Sequence, residues 1–163
     1  TEMQACGEAG SVLVMDSRRD ANMASAGDIL VTRLMMRGGA GVVTDGGFRD
    51  AMKIAQLDMP AYHNRPASPT NLTNNEAIEI NGPIGCGDVA VFPGDIIVGD
   101  DDSVIVIPAH LADEIALEAR EMTAYEDFVI EQVRRGDTII GLYPATKQEM
   151  IDKFARWREE NGR

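Results

Sequence analysis

The chain has 163 residues, of which 44% are apolar and 5% aromatic, and it carries a formal net charge of −12 at pH 7. This length is enough for one buried core, and no apolar run approaches the roughly 18 residues of a membrane span, so we expect a soluble protein that does not enter a membrane. The negative charge repels phosphates and few aromatic rings are available for base stacking, which argues against nucleic-acid binding.

The first third of the chain alternates strand and helix patterns. Residues 11–15 predict a buried strand, and residues 27–36 predict a helix that Gly38 and Gly39 end. The predicted apolar side of this helix holds four residues, Ile29, Leu30, Leu34 and Met35. Residues 41–44 predict a second strand, followed by a glycine turn at 45–47 and a short helix around 50–56.

The middle of the chain is rich in short strand patterns, and its end is helical. Five segments separated by turn residues predict strands: 61–63, 77–80, 89–92, 95–98 and 103–107. A helical period runs from Pro108 to about Val133, and Thr146 with Glu149 predicts a capped last helix. On that helix Met150, Phe154 and Trp157 share a face, which is more typical of packing than of a cofactor site.

These patterns predict one mixed α/β domain over residues 1–163, with 109–163 as its C-terminal helical arm. Cys6 and Cys86 lie far apart in the sequence and form no metal-type pair. Unbridged thiols fit a reducing compartment, so we expect a cytoplasmic protein.

The adjacent pair Arg49 and Asp50 follows the glycine turn, at the end of a predicted strand. An exposed ion pair alone would contribute only about 0–1 kcal/mol, but loops at strand ends are where α/β folds place their sites. Upstream, Gly27 opens a predicted helix, whose free N–H groups suit a carboxylate or phosphate. The alternative is that Asp28 only complements the helix dipole. Together, an anion-binding turn, a guanidinium and a carboxylate suit metal-assisted chemistry on a 2-oxo acid.

Residues 27–50, GDILVTRLMMRGGAGVVTDGGFRD, carry a specific spacing of glycines, Asp45 and the pair Arg49-Asp50. With residues 83–88, 92–95 and 99–108, they resemble the family of 4-hydroxy-4-methyl-2-oxoglutarate aldolases and regulators of ribonuclease E activity, the RraA-like proteins. The resemblance covers roughly residues 8–135. It implies a swivelling β/β/α fold with mixed sheets flanked by helices, assembled as a homotrimer or hexamer. Family members usually carry N-terminal helices before the first strand predicted here.

The resemblance also implies a mechanism. The backbone of four residues would receive the carboxylate of a small 2-oxo acid: Gly27, Asp28, Ile29 and Leu30. Arg49 would contact substrate and Asp50 would bind Mg²⁺, Mn²⁺ or another divalent cation. Cleavage or decarboxylation of 4-hydroxy-4-methyl-2-oxoglutarate or oxaloacetate would then give pyruvate through a metal-stabilised enolate. Loss of the Arg49 contribution would raise the barrier by about 2–4 kcal/mol.

Two further positions bear on this expectation. Family members use an acid from the C-terminal helix of a neighbouring subunit, for which Glu126 is the candidate and Glu121 the alternative; both also fit solvated helix charges. The aldolases carry an acid three residues after the aspartate of Arg-Asp, where this chain has Lys53. The non-enzymatic regulators share that lack, so the competing hypothesis is a regulator that binds a basic partner such as a ribonuclease or helicase.

The remaining polar candidates fit structural roles at least as well as catalytic ones. His63 follows a predicted strand near the site and is either an acid-base group or a hydrogen-bonded structural residue. His110 is expected to be exposed at a helix start. Residues 100–102 are three aspartates that lack the alternating ligands of a calcium loop, so they predict a turn.

Overall fold

The computed structural model describes residues 9–70, 72 and 74–163. The chain forms two compact units, the first ending at Ala109 and the second running from His110 to Arg163. Cys6 lies outside the described residues. Within that range, none of the helices combines the length and apolar character needed to cross a bilayer.

Within its described residues, the first unit contains ten short strands. They are β1 (Val12–Met15), β2 (Ala24–Ala26), β3 (Gly41–Thr44), β4 (Gly47–Phe48), β5 (Ala61–Tyr62), β6 (Arg65–Pro66), β7 (Ile84–Cys86), β8 (Val89–Val91), β9 (Ile96–Gly99) and β10 (Val104–Ile107). Its helices are α1 (Asp28–Met36) and the single turn α2 (Ala51–Ile54). The second unit holds α3 (Ala112–Arg134) and α4 (Gln148–Asn161), and a 3-10 turn (Ala109–Leu111) precedes α3.

The odd and even strands of the first half form separate parallel sheets. β3 lies between β1 and β5, with Val12 opposite Gly41 and Val42 opposite Ala61. β4 lies between β2 and β6, with Gly47 opposite both Ala24 and Arg65. The chain therefore moves from one sheet to the other directly after β3, at the glycine turn. Two antiparallel hairpins, β7 with β8 and β9 with β10, complete the mixed α/β fold expected from the sequence.

Each unit has its own apolar core. In the first unit, seven buried side chains pack together: Ala26, Val31, Leu34, Val42, Phe48, Ile54 and Met59. In the second unit, Phe128, Val129 and Leu142 are buried against four partly buried side chains, Tyr125, Met150, Phe154 and Trp157. The predicted face of the last helix is thus a packing surface, as expected.

The structure corrects the predicted apolar side of α1. Val31 and Leu34 are its buried residues, whereas Ile29 is 78% and Leu30 46% exposed. The reason is geometric: residues three apart share one face of a helix, and the face holding Val31 and Leu34 is the one that packs on the core. Ile29 points away from that face, and Leu30, four residues before Leu34, lies at its edge in the first turn.

Two other expectations are wrong. Residues 77–80 form no strand, and Ile78 and Ile80 are 95% and 65% exposed, because the segment has no neighbouring strand to complete a hydrogen-bonded ladder. Thr146 does not cap the last helix, since α4 begins at Gln148, one residue after its N-cap Lys147. The Thr146 N–H instead donates to Gly141 O at 3.3 Å, which keeps it in the preceding turn.

Candidate functional site

The turn between β3 and β4 requires glycine because side chains crowd it on both sheets. A Cβ on Gly46 would lie 2.5 Å from Ser25 Oγ and 2.6 Å from Ser17 Cβ. A Cβ on Gly47 would lie 2.6 Å from the Cβ of Ala67. A Cβ cannot come this close to a non-bonded heavy atom, so larger residues would force the strands apart. The tight turn fixes where β4 ends, and with it the position of the next two residues, Arg49 and Asp50.

Asp45 anchors this turn from within. Its carboxylate is buried and accepts three backbone hydrogen bonds: from Ser17 N at 2.7 Å, Arg19 N at 3.0 Å and Gly87 N at 3.3 Å. These donors satisfy a buried charge that would otherwise be costly, and they tie three separate segments together. Asp45 is therefore a structural residue, although the sequence marked it only as part of a turn.

A cluster of three hydroxyl groups lies beside Asp45, and sequence reasoning missed it. Ser25 Oγ is 2.6 Å from Ser17 Oγ and 2.8 Å from Thr44 Oγ1. Thr44 Oγ1 also accepts a hydrogen bond from Gly46 N at 3.0 Å. The three residues come from different segments of the first unit, so no short-range sequence pattern predicts that they cluster. It crosslinks the segment after β1 with the strands β2 and β3 next to the glycine turn.

The structure brings Gly27 directly against Arg49 and Asp50. A Cβ on Gly27 would lie 3.3 Å from Asp50 Oδ2 and 3.5 Å from both Nε and Nη2 of Arg49. The Arg49 N–H donates to Ala26 O at 2.9 Å, which fixes this approach through the backbone. The predicted anion-binding turn and the predicted Arg-Asp pair therefore occupy one place. Their roles in substrate and metal binding remain predictions.

The Asp28 side chain binds one of the free N–H groups in the first turn of α1. Asp28 Oδ1 accepts from Ile29 N at 2.9 Å, and Val31 N donates to Gly27 O at 3.1 Å. Among the described residues, the N–H groups of Asp28 and Leu30 form no hydrogen bond. Asp28 thus complements the helix dipole, as the simpler interpretation predicts, and two amides are still open to an anion.

Asp50 has a backbone conformation that few residues adopt. Its φ is 58° and its ψ 31°, in the left-handed region, where aspartate and asparagine are the best tolerated non-glycine residues. The Asp50 carbonyl accepts from Lys53 N at 2.8 Å and Ile54 N at 3.1 Å, so α2 holds it in place. This conformation is maintained by the surrounding fold, which is typical of functional positions.

Four charged side chains surround the first turn of α1. Arg49 Nε lies 3.4 Å from Asp50 Oδ2, and Lys53 Nζ lies 3.2 Å from Asp28 Oδ2. The Asp50 side chain is 32% and the Arg49 side chain 54% exposed, so the pair is open to solvent rather than sealed. The hydrogen bond from Lys53 lowers the pKa of the Asp28 carboxyl, and Asp50 adds to this in a smaller degree. The Asp28 carboxylate is therefore negative at neutral pH, and since both ion pairs are exposed to solvent, neither is strong.

The side chains at this site suit Mg²⁺, which keeps several water ligands, better than a metal whose ligands all come from the protein. Among the described residues, no three histidine, cysteine, aspartate or glutamate side chains gather as a metal-binding group. Mg²⁺ commonly takes only one or two carboxylates and keeps several waters. Asp50 is exposed enough to serve as such a ligand, with Asp28 close by, whereas the Lys53 ammonium opposes a cation.

The candidate acids of the C-terminal helix lie in the second unit. Glu126 is exposed and accepts a hydrogen bond from Tyr143 Oη at 3.0 Å, which raises the pKa of the tyrosine hydroxyl. Glu121 forms an ion pair with Arg158. Each acid thus has a partner in its own unit. The function of Glu126 in a neighbouring subunit, and the homotrimer or hexamer that this requires, remain predictions.

The two histidines differ in environment. His63 is half-buried, with its ring centroid 5.0 Å from that of Phe48, and burial lowers its pKa. Its Nδ1 is buried and has no hydrogen-bond partner within the part of the chain that the structure describes. His63 therefore packs on Phe48, but at Nδ1 it lacks the hydrogen bond that the structural interpretation predicts. His110 is exposed in the 3-10 turn, as expected.

Cys86 lies close to Asp45 and is not a reactive thiol. Burial, with a smaller contribution from the nearby Asp45 carboxylate, raises the pKa of its thiol to about 11.

In a Cys6→Ser variant, alkylation of Cys86 by iodoacetamide should be slow at pH 8 and rise about tenfold per pH unit up to pH 10, because only the thiolate reacts. Mass spectrometry with N-acetylcysteine as the reference thiol measures this. A rate that levels off near pH 9 would contradict the raised pKa.

Comparison with known proteins shows which family this chain resembles. The family model described as RraA-like, Aldolase/RraA, matches residues 2–106. A relative from Halalkalibacterium halodurans, named "Putative 4-hydroxy-4-methyl-2-oxoglutarate aldolase", is 34% identical over 122 residues, which make up 72% of this chain and 56% of that protein. The chain spans about half the length of the curated relatives it matches.

Two solved structures share the fold. An uncharacterized protein from Pseudomonas syringae pv. tomato has a TM-score of 0.78 at 25% identity, with 84% of this chain and 68% of that chain covered. An unusual member of the RNase ES inhibitor RraA protein family from Streptomyces coelicolor has a TM-score of 0.71 at 31% identity, with 77% and 64% covered. Because the family model matches more than half of the sequence, this chain belongs to the RraA-like family.

Proposed function

We propose that this protein is a divalent-metal-dependent carbon-carbon lyase that acts on a small 2-oxo acid. The observation that carries the proposal is the meeting of Gly27 with Arg49 and Asp50, within 3.3–3.5 Å of a Cβ position on Gly27. The name of the Halalkalibacterium relative supports the same class of reaction. The candidate substrates are 4-hydroxy-4-methyl-2-oxoglutarate and oxaloacetate, both of which release pyruvate on cleavage or decarboxylation.

The substrate would be held by its carboxylate at the first turn of α1. The open N–H groups of Asp28 and Leu30 and the positive end of the helix dipole favour an anion there. Arg49 lies beside the same turn with more than half of its side chain exposed, so its guanidinium is available to the keto oxygen. That oxygen gains negative charge as the carbon-carbon bond breaks, and a positioned cation lowers the barrier by stabilising it.

Asp50 would hold the metal. A bound Mg²⁺ or Mn²⁺ supplies Lewis-acid polarisation of the substrate carbonyl. The contribution of the chain is to keep the Asp50 carboxylate at a fixed place, through its left-handed backbone and the two hydrogen bonds to its carbonyl. The pair with Arg49 is long, at 3.4 Å, and exposed, so Asp50 can exchange this partner at little cost.

Pyruvate release tests the proposal. Purified protein is incubated with each of the two candidate acids, first with Mg²⁺ and then with excess EDTA, and pyruvate is followed through a coupled dehydrogenase. We expect turnover that EDTA removes and added Mg²⁺ restores. The absence of metal-dependent turnover across a panel of 2-oxo acids would overturn the lyase proposal. Equal rates with and without EDTA would overturn its metal dependence.

A regulator is the second candidate, and Lys53 is the observation that favours it. Its ammonium lies 3.2 Å from Asp28 Oδ2, beside the place where the metal would bind, and repels a divalent cation. In this alternative the acidic chain, with a net charge of −12, docks on a basic protein such as a ribonuclease or helicase. Direct binding to a purified ribonuclease of this class, with no turnover in the pyruvate assay, would favour the regulator.

A further inference from the structure

Lys53 is a charged group at the site to which the proposed mechanism gives no part. Its Nζ lies 3.2 Å from Asp28 Oδ2, and 71% of its side chain is exposed. Its backbone is fixed, because Lys53 N donates to Asp50 O at 2.8 Å. The ammonium therefore projects toward the first turn of α1 from one turn beyond Asp50, and ligands can reach it.

Arg49 and Lys53 approach this turn at neighbouring residues. Arg49 lies next to Gly27, whereas Lys53 contacts Asp28. Since the chain as a whole carries a charge of −12, it repels an anion with two negative charges unless local cations offset that repulsion. Arg49 and Lys53 balance the two carboxylates at this turn, Asp28 and Asp50, so the turn itself adds no net repulsion, and each cation can bind a ligand carboxylate.

Lys53 can leave its ion pair with Asp28 without disturbing helix α1. Asp28 Oδ1 accepts from Ile29 N at 2.9 Å, while Oδ2 faces Lys53. Release of Lys53 leaves the hydrogen bond of Oδ1 to the helix in place. An exposed pair of this kind contributes only about 0–1 kcal/mol, so a ligand carboxylate can replace Asp28 as the partner of Lys53 at little cost.

We propose that Lys53 is a specificity residue that binds the second carboxylate of a dicarboxylic ligand. The first carboxylate would lie at the start of α1 beside Arg49, so the inference rests on the proposed function. Both of its candidate substrates carry two carboxylates, and the inference assigns a residue to the second one. An ammonium donates hydrogen bonds and accepts none, which suits a carboxylate. Monocarboxylic acids leave Lys53 paired with Asp28 and gain nothing from it.

Binding of unreactive acids with four carbons tests the inference. Succinate has two carboxylates and butyrate one, and their affinities are measured by titration calorimetry with Mg²⁺ and with EDTA. Lys53→Met should weaken succinate binding by about tenfold and change butyrate binding by less than about twofold, because only succinate loses a charge-assisted hydrogen bond. Lys53→Arg should restore most of the succinate affinity. The control Lys147→Met removes the same charge at an exposed position of the second unit and should change neither affinity.

The outcomes separate the inference from the proposed function. If Lys53→Met weakens both acids equally or neither of them, or if succinate does not bind the unaltered protein, the inference is wrong. Metal-dependent pyruvate release would stand in each of those cases. If the succinate preference depends on Lys53 but no 2-oxo acid is turned over, the dicarboxylate site stands and the lyase proposal fails.

Discussion

Asp50→Asn should lower metal-dependent pyruvate release at least about a hundredfold while the protein stays folded. The substitution removes the negative charge that would bind the cation but keeps the size of the side chain, so the loss is electrostatic. Asparagine tolerates the left-handed backbone of this position, where φ is 58°, and the ion pair lost with Arg49 is exposed. We therefore expect the free energy of unfolding to change by no more than about 0.5 kcal/mol.

The measurement is pyruvate release at saturating Mg²⁺, with circular dichroism and urea unfolding to check the fold. Asp58→Asn is the matched control, because Asp58 is an exposed carboxylate eight positions further along the chain. It should leave turnover unchanged. If Asp50→Asn retains full metal-dependent activity, Asp50 is not the metal ligand.

Phe48→Ala should destabilise the first unit by about 3–5 kcal/mol. Phe48 has 0% exposure and lies in the core of that unit, next to the residues of the site. Truncation removes the packing of its ring and leaves a cavity in the core. Because Arg49 follows Phe48 directly, the same change should also loosen the position of the guanidinium.

Hydrogen exchange measured by mass spectrometry is the suitable probe. The only tryptophan, Trp157, lies in the second unit, so its fluorescence does not report directly on this core. Peptides that contain Val42 and Val43 should exchange faster in Phe48→Ala, whereas Phe92→Ala should have little effect because Phe92 is 54% exposed. Unchanged protection of β3 in Phe48→Ala would show that Phe48 does not support this sheet.

Local patterns predicted the elements whose residues interact with near neighbours in the chain. The strand at β3 and the helices α1 and α3 were found because apolar periodicity acts within a few residues. The short strands β2, β4, β6 and β7 were missed, since none of them contains a run of apolar residues, and they become strands only when partners align beside them. The opposite error occurred at 77–80, where a strand pattern has no partner.

The candidate site likewise contains some residues that local sequence patterns predict and others that they do not. The sequence singled out Gly27, Arg49 and Asp50 as candidates through their spacing and residue types. It gave no sign of the hydroxyl cluster of Ser17, Ser25 and Thr44, or of the buried carboxylate of Asp45 with its three amide donors. Those contacts join residues that are distant in the chain, and such contacts follow from the order of strands in a sheet.

The sequence by itself determined the residue chemistry of the candidate site and the mixed α/β class, because both depend on residue type and short-range spacing. Only the tertiary structure decided that Gly27 contacts Arg49 and Asp50, and that Lys53 pairs with Asp28. The physical reason is that α1, β4 and α2 are brought together by two interleaved parallel sheets and a glycine turn with no room for a side chain. Sheet pairing of that kind depends on the whole first unit rather than on any one segment.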